Sequence, residues 1–365
     1  MQGEKINGRQ AFLLLSTTIV ATLILFIPSL AVAQGDRDTW LGTLLAATVG
    51  LVVVGVVALL AARFPDRNLF GVSEKALGRI ITRGLVAPLY FLFFFYIAAA
   101  VLRELGDVLT ASLMPETPLL AFVFMTSILV ALAVLGGLEV VARLNEIVFL
   151  ILVTAPAFIL LLLLKEVQFE NLLPALAGGF TPVIRAAVPQ VGFFGEVVVL
   201  AFIIPQLEKP RQAGAIGAGA VAFSALMMVA TIVWLVGIFG VQQVGAFLLP
   251  TLTLGRQVLV AGFLTGLDPL VVAVWVAGVT VKASVFFYVA LLVVVQGFGL
   301  REYRPLVFPA TLLLVALSIL QFASTFEFSE FVLKTFPFWG LTMELVLPVV
   351  ILLVAVLRGQ RGEEG

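Results

Sequence analysis

The sequence predicts an all-α integral membrane protein with ten transmembrane helices. Hydrophobic residues make up 62% of its 365 residues, charged residues only 12%, and the mean hydropathy is +1.20. Soluble domains carry about 25% charged residues, so a chain this apolar lacks the polar groups to cover a soluble surface. Its apolar runs reach the roughly 20 residues that a helix needs to cross a bilayer. We therefore expect a single membrane domain over residues 1–365, with no soluble domain.

Apolar runs separated by short polar loops give the predicted spans. The first run starts near Ala11 and is too long for the core of a cleavable signal peptide, so we expect it to be retained. The predicted spans are 11–33, 40–62, 84–106, 118–137, 144–164, 184–205, 213–240, 268–297, 305–323 and 336–357.

The charges in these loops predict the orientation of the protein in the membrane, because cytoplasmic loops are enriched in Lys and Arg. With the N-terminus inside, fourteen Lys and Arg residues fall in inner segments and six in outer segments, while Lys282 lies within a span. This bias predicts that both termini are cytoplasmic.

Ten spans with both ends on one side favour two halves of five. An odd number of spans gives the halves opposite topology, which is the inverted-repeat plan of many secondary transporters. The first repeat then covers 11–164, with helices 1–5, and the second covers 184–357, with helices 6–10.

The first span of each half carries helix breakers. Span 1 contains Pro28, and span 6 contains Pro189, Gly192, Gly195 and Pro205. Proline removes a backbone donor and glycine weakens a helix, so each can leave a helix broken at mid-depth. Both residues are common in membrane helices generally, but their matched positions favour broken helices 1 and 6.

Two charged residues stand deep inside predicted spans. Glu196 follows a glycine of the predicted break in span 6, and an intramembrane carboxylate is a functional candidate by default. Lys282 lies near the middle of span 8, where transporters of this plan hold a sodium ion against broken span 1. A fixed ammonium can occupy that place, so Lys282 and Glu196 are the predicted ion-coupling residues. The alternative is a structural ion pair of Lys282 with Glu196 or Glu104.

Other polar residues in the spans carry weaker signals. We expect Arg103, Glu104 and Asp107 to lie at the outer membrane interface, near the end of span 3. Glu344 is a further carboxylate in span 10. The aromatic runs around Tyr96 and Tyr288 either wall a cavity or face lipid and neighbouring helices.

The composition also excludes several kinds of chemistry. The chain has no Cys and no His, which removes disulfides, thiolate nucleophiles and most zinc and haem sites. We therefore expect no cofactor, no metal and no enzymatic activity. The formal net charge is zero, which gives no reason to expect nucleic acid as a partner.

Several short motifs, in order along nearly the whole chain, point to one family. They are Gln10, Pro28, Trp40, Phe64-Pro65, Pro115-Glu116-Thr117-Pro118, Gly137 with Glu139 and Arg143, and Phe194-Gly195-Glu196. With these motifs the chain resembles the B-subunit family of bacterial spore germinant receptors, a branch of the amino acid–polyamine–organocation transporter superfamily.

The resemblance implies a germinant-sensing role. Such subunits bind a small germinant, usually an amino acid, in the inner membrane of the dormant spore. They work with an A-type subunit and a lipoprotein C-type subunit, and membrane lipid surrounds them. The residues leave two alternatives open: a proton-coupled amino-acid transporter, and a water or ion pathway on the same fold.

The resemblance also suggests where the ligand binds. Relatives commonly carry a glycine-rich stretch before the span 1 proline, whereas this chain has Ala21, Thr22 and Leu23, and Leu23 would crowd such a site. The predicted substrate-binding residues are Ala21, Thr22, Leu25, Tyr96, Gly192, Phe193, Gly195, Glu196 and Tyr288.

Overall fold

The computed structural model is almost entirely helical and describes residues 4–257, 259–260, 264–265 and 267–360. The helices are α1 (Gly8–Leu23), α2 (Ile27–Gly35), α3 (Thr39–Arg63), α4 (Leu69–Leu77), α5 (Arg79–Ile81), α6 (Ala87–Ser112), α7 (Leu119–Gly136), α8 (Leu138–Leu162), α9 (Phe180–Gly195), α10 (Val199–Ile203), α11 (Ala213–Ala246), α12 (Pro250–Gln257), α13 (Asp268–Phe298), α14 (Arg304–Leu320), α15 (Thr325–Glu330), α16 (Phe336–Leu341) and α17 (Leu347–Leu357).

Short segments of other types link these helices. The 3₁₀ turns are Asp36–Asp38, Leu164–Glu166, Phe169–Leu172, Glu196–Val198, Ile204–Gln206 and Pro210–Gln212, and the π-helical turns are Thr82–Val86, Phe331–Thr335 and Thr342–Val346. Two strands, β1 (Leu259–Val260) and β2 (Leu264–Thr265), pair antiparallel.

Eight helical segments within the described residues are long and apolar enough to cross a membrane. They are Ile27–Arg63, Arg79–Ser112, Leu119–Gly136, Leu138–Leu162, Phe180–Gln206, Pro210–Ala246, Pro269–Phe298 and Thr325–Leu357. The predicted span 11–33 falls on α1 and α2, and the predicted span 305–323 falls on the 17-residue α14. The all-helical membrane architecture is confirmed, while the count of ten spans and the division into two repeats stay predictions.

The first predicted span is interrupted just before its proline. Helix α1 ends at Leu23 and α2 begins at Ile27, with a turn between them. Pro28 has no backbone N–H, so it cannot bond to the carbonyl of Ile24 four residues earlier. The hydroxyl of Thr251 on α12 donates to that carbonyl instead, at 2.5 Å. The break is thus stabilised by a partner from a distant helix.

The sixth predicted span is interrupted at its central carboxylate. Helix α9 ends at Gly195, and a 3₁₀ turn over Glu196–Val198 leads into the short helix α10. Pro205 lies in the second 3₁₀ turn, beyond α10. The expected break therefore lies at Glu196 itself.

The interrupted sixth span and the long helix α13 lie at the centre of the molecule. Phe180–Gln206 and Pro269–Phe298 are the most deeply buried of the candidate spans, whereas α7 and α8 keep most of their surface exposed, as helices in contact with lipid do. Small residues let α9 approach α3 closely: Gly42 packs on Ala186, and Gly50 packs on the backbone of Phe194. The core thus places α1, α9 and α13 side by side.

The N-terminal segment closes one end of this core. Ile6 forms a parallel bridge with Leu207, and the ammonium of Lys5 donates to the carbonyl of Pro205 at 2.8 Å. The backbone N–H of Leu138 donates to the carboxylate of Glu4 at 2.9 Å. Residues 4–6 therefore tie the end of the broken sixth span to the start of α8.

Candidate functional site

A buried ion pair joins the two broken segments to the long helix α13. The Nζ atom of Lys282 donates to both carboxylate oxygens of Glu196, at 2.6 and 2.7 Å, and to Oγ1 of Thr22 at 2.5 Å. Lys282 and Glu196 are fully buried, and Thr22 is 1% exposed. The cluster therefore connects the end of α1, the turn after α9 and the middle of α13.

Local structure explains how each group reaches this point. Thr22 lies in the last turn of α1, next to the break caused by Pro28. Glu196 is the first residue of the 3₁₀ turn, and its backbone N–H bonds to the carbonyl of Gly192. Lys282 extends from the uninterrupted α13. A rigid helix thus presents the ammonium to two interrupted ones.

Two aromatic rings flank the ammonium. The Lys282 Nζ lies 5.3 Å from the ring centroid of Phe193 and 5.5 Å from that of Phe286. Both distances are within the range of cation–π attraction, which is stronger for a buried cation than for an exposed one. The ammonium is thereby compensated by one carboxylate, one hydroxyl and two ring faces.

A small cavity lies against the pair. Its volume is about 20 Å³, which is room for a water molecule and not for an amino acid. It is lined by Thr22, Ile97, Ala100, Val101, Glu104, Phe193, Glu196, Lys282, Phe328, Phe331, Val332 and Phe336. The site is therefore closed in this conformation.

Glu104 lies inside the protein and not at an interface. Its side chain is 5% exposed and lines this cavity, and its Oε1 atom has no hydrogen-bond partner within the part of the chain that the structure describes. A second cavity of about 20 Å³ on the other side of Glu104 also touches Phe26 and Asp107. The expectation of an interfacial Glu104 was wrong because α6 turns this carboxyl toward α13.

Arg103 and Asp107 are also more buried than expected. They form an ion pair at 3.0 Å in which both side chains are mostly buried. Arg103 also donates to the carbonyl oxygens of Ile319 and Phe322, at 3.0 and 2.5 Å. These contacts fix α6 against the end of α14.

The predicted substrate residues fall into two groups. Thr22, Phe193 and Glu196 line the cavity. Ala21, Leu25, Gly192 and Gly195 are buried in the same two broken segments without lining the cavity.

Tyr96 and Tyr288 lie away from the pair. Tyr96 packs among Phe322, Phe331 and Trp339 and lines an open cleft of about 730 Å³ with Lys334. Tyr288 packs edge-on against Tyr303, near the end that the N-terminal segment closes. Glu104 and Glu344 are two buried carboxyls that the sequence analysis noted but did not include in the predicted site.

Comparison with known proteins gives the family. The family model described as "Spore germination protein" matches residues 5–326. The chain belongs to this family of spore germination permeases. Spore germination protein KB of Bacillus subtilis (strain 168) is 27% identical, over 100% of this chain and 98% of that protein. YndE of the same organism is 25% identical, over 81% of this chain and 82% of that protein.

Solved transporter structures share the fold of this germination permease. MhsT, solved in complex with L-phenylalanine, has a TM-score of 0.62 at 14% identity and covers 98% of this chain and 99% of that one. Mhp1, a nucleobase-cation-symport-1 family transporter, has a TM-score of 0.58 at 14% identity and covers 96% and 78%. The protein is thus an integral membrane protein with a transporter fold. Its family consists of permease-like proteins and not of enzymes, and the protein resides in the spore inner membrane.

Proposed function

We propose that this permease is the membrane subunit of a spore germinant receptor. A small germinant, above all an amino acid, binds at mid-membrane beside Lys282 and Glu196 and triggers germination. The observation that carries the proposal is the buried Thr22–Lys282–Glu196 cluster at the junction of two broken helices. Charged groups this deep in a membrane are costly and are retained where they serve a function.

The ion pair complements the two ends of an amino acid. An incoming ammonium can replace Lys282 on the Glu196 carboxylate, and an incoming carboxylate can pair with the released Lys282. Thr22 supplies a hydroxyl beside both. Exchange of one ion pair for two leaves no buried charge uncompensated, which avoids the main cost of opening the resident pair. The L-phenylalanine bound to MhsT, a neighbour in fold, is consistent with this ligand class.

Binding at this site requires a conformational change. The cavity of about 20 Å³ is too small for an amino acid, so the ligand binds a more open state and shifts the population toward it. The aromatic side chains of Phe193, Phe328, Phe331 and Phe336 line the cavity and would have to separate. A receptor needs only this difference in affinity between two states, and transport is not required.

The finer architecture is part of the proposal. We propose ten spans in a five-plus-five inverted repeat, with both termini cytoplasmic and with Lys282 in place of a bound sodium ion. A-type and C-type receptor subunits would be the protein partners. The apolar faces of α7 and α8 would contact lipid.

A second candidate function is proton-coupled amino-acid transport. The buried Lys282–Glu196 pair favours it, because a pair that opens and closes can exchange a proton at each step. Uptake of labelled amino acid into proteoliposomes, abolished by a protonophore, would establish transport. Ligand binding without uptake would favour the receptor.

A thermal-shift screen of the purified protein in detergent tests the proposed function. The ligands are the twenty amino acids, several nucleosides and simple sugars. A ligand at a hundred times its Kd adds about 2.7 kcal/mol of stability, and we expect an amino acid to do so. The shift should disappear in Glu196→Gln and Lys282→Met.

Lys334→Met is the matched control for the screen. Lys334 also forms an ion pair, with Glu330 at 2.5 Å, but its side chain is 72% exposed. The control should keep the full ligand-induced shift. A ligand that still stabilises both buried variants would place its binding site elsewhere and overturn the proposal.

A further inference from the structure

A third buried carboxyl lies at the broken sixth span, outside the ion pair. Glu344 is fully buried in the π-helical turn Thr342–Val346 of the last candidate span. Neither of its carboxyl oxygens has a hydrogen-bond partner among the described residues. No cation pairs with it in that part of the chain. An ionised carboxylate in such a place would have neither the hydrogen bonds nor the ion pair that buried charges need.

Two glycines form the niche that holds this carboxyl. A methyl group at Gly195, the residue before Glu196, would overlap Oε2 of Glu344. At Gly340, one helical turn before Glu344, a methyl group would lie 3.4 Å from the same oxygen. The carboxyl is therefore packed directly against the backbone where α9 ends. This close packing leaves no room for the shell of oxygen ligands that a metal cation takes.

The turn itself is anchored in place. The hydroxyl of Tyr90 on α6 donates to the backbone carbonyl of Met343 at 3.1 Å. Among the described residues, the titratable groups that interact with Glu344 from neighbouring helices are Tyr90, Glu196 and Lys282. Lys282 already bonds both oxygens of Glu196 and Thr22, so its three donors are used. One ammonium therefore cannot also compensate Glu344.

We propose that Glu344 is a proton-binding site that carries its proton in this closed conformation. The neutral carboxyl leaves Glu196 balanced by Lys282 alone, without a second anion behind Gly195. The site binds a proton, and no other reactant is involved. This inference concerns the closed protein and stands whether or not a germinant binds at Lys282.

The proposal links proton release to opening of the fold. Water that reaches Glu344 when the helices separate would let the carboxyl ionise, so the closed state binds one proton more than an open or unfolded state. Stability must then fall as pH rises, since the folded form carries the extra proton. Higher pH would also favour the open state.

Infrared difference spectroscopy of the purified full-length protein tests the proposal. We expect the spectrum of wild type minus Glu344→Gln to contain the C=O stretch of one protonated carboxyl per chain, shifted to lower frequency in D₂O. Glu116→Gln is the control, because Glu116 is exposed and should contribute only carboxylate bands. A Glu344→Gln difference showing only carboxylate bands would overturn the proposal.

A second variant and a second readout distinguish loss of the proton-binding carboxyl from misfolding of the protein. Glu344→Asp keeps a carboxyl, so the protonated band should shift in frequency and not vanish; an unchanged spectrum in that region contradicts the assignment. Thermal stability is the second readout. It should decline with rising pH more steeply in the wild type than in Glu344→Gln, and parallel curves would also contradict the proposal.

Discussion

At the scale of single residues, the part of the chain that the structure describes holds one buried ammonium, Lys282, among three buried glutamates. Glu104, Glu196 and Glu344 are each 5% exposed or less, and only Glu196 bonds to Lys282. Removal of one partner of this pair therefore leaves the other charge buried without compensation. The two other carboxyls mark places where the charge of the site can change.

Removing Lys282 should destabilise the protein far more than removing Glu196 and Lys282 together. Lys282→Met leaves a buried carboxylate without its partner, which costs about 3–5 kcal/mol. The double variant Glu196→Gln/Lys282→Met has no charge to compensate and should recover most of that loss. Thermal unfolding in detergent measures both.

Lys334→Met provides the scale for that comparison. Its exposed pair with Glu330 belongs to a class that contributes about 0–1 kcal/mol. If Lys282→Met were no less stable than Lys334→Met, the buried pair would be unimportant to the fold. If the double variant were as unstable as the single one, packing and not charge would explain the loss.

The niche around Glu344 gives a second residue-scale prediction. Gly195→Ala should destabilise the protein by about 1–3 kcal/mol, because the added methyl group overlaps the Glu344 carboxyl. Glu344→Ala removes that carboxyl, so Gly195→Ala should cost much less in its background. A double-mutant cycle of unfolding free energies measures the coupling. Additive effects would show that the two residues do not share this contact.

At the scale of elements, the break between α1 and α2 depends on a single hydroxyl. Thr251 satisfies the carbonyl of Ile24 that Pro28 leaves without a donor. Thr251→Val keeps the shape and removes the bond, and an unsatisfied buried carbonyl costs about 1–3 kcal/mol. In a Pro28→Ala background the restored N–H can bond to Ile24 within the helix. Thr251→Val should then cost little.

Thr253→Val is the matched control for this prediction. The Thr253 hydroxyl donates to the carbonyl of Leu249, the residue before α12, at 3.2 Å. The backbone N–H of Thr253 donates to the same carbonyl, so loss of the hydroxyl leaves that carbonyl with a partner. The test compares the unfolding free energies of Thr251→Val, Thr253→Val, Pro28→Ala and the double variant Pro28→Ala/Thr251→Val. Equal losses for Thr251→Val and Thr253→Val would show that the break needs no partner from α12.

The sequence predicted the positions of the broken helices better than the partners within them. Pro28 and the residues Gly195 and Glu196 mark both breaks, because Pro, Gly and intramembrane charge act locally. The Thr251 cap could not be predicted, because it joins residues more than two hundred positions apart. The same holds for Glu104, whose direction depends on how α6 packs against α13.

The aromatic residues show the other limit of sequence reasoning. Tyr96 and Phe193 were both predicted to bind the substrate. Phe193 lines the cavity, while Tyr96 lies in the open cleft with Trp339. An aromatic residue fits lipid, core or cavity equally well, so only tertiary packing separates these environments.

At the scale of the whole molecule, the structure is closed around its central pair. The cavity beside Lys282 holds no more than about 20 Å³. At one end, the segment that follows α10 is held near the start of α8 by the contacts of Glu4, Lys5 and Ile6. Any ligand response must therefore begin with the separation of elements that are now in contact. The side of the membrane on which they separate depends on the orientation of the protein.

The orientation can be tested because the chain has no cysteine of its own. The excess of Lys and Arg predicts that the turn after α3 faces the cytoplasm and that the turn before α7 faces the outside. Asp66→Cys and Glu116→Cys place one thiol in each turn, at exposed positions. A membrane-impermeant maleimide applied to intact cells should label Glu116→Cys, and should label Asp66→Cys only after the cells are permeabilised. Labelling of Asp66→Cys in intact cells would reverse the orientation, and labelling of both would contradict the predicted number of spans between them.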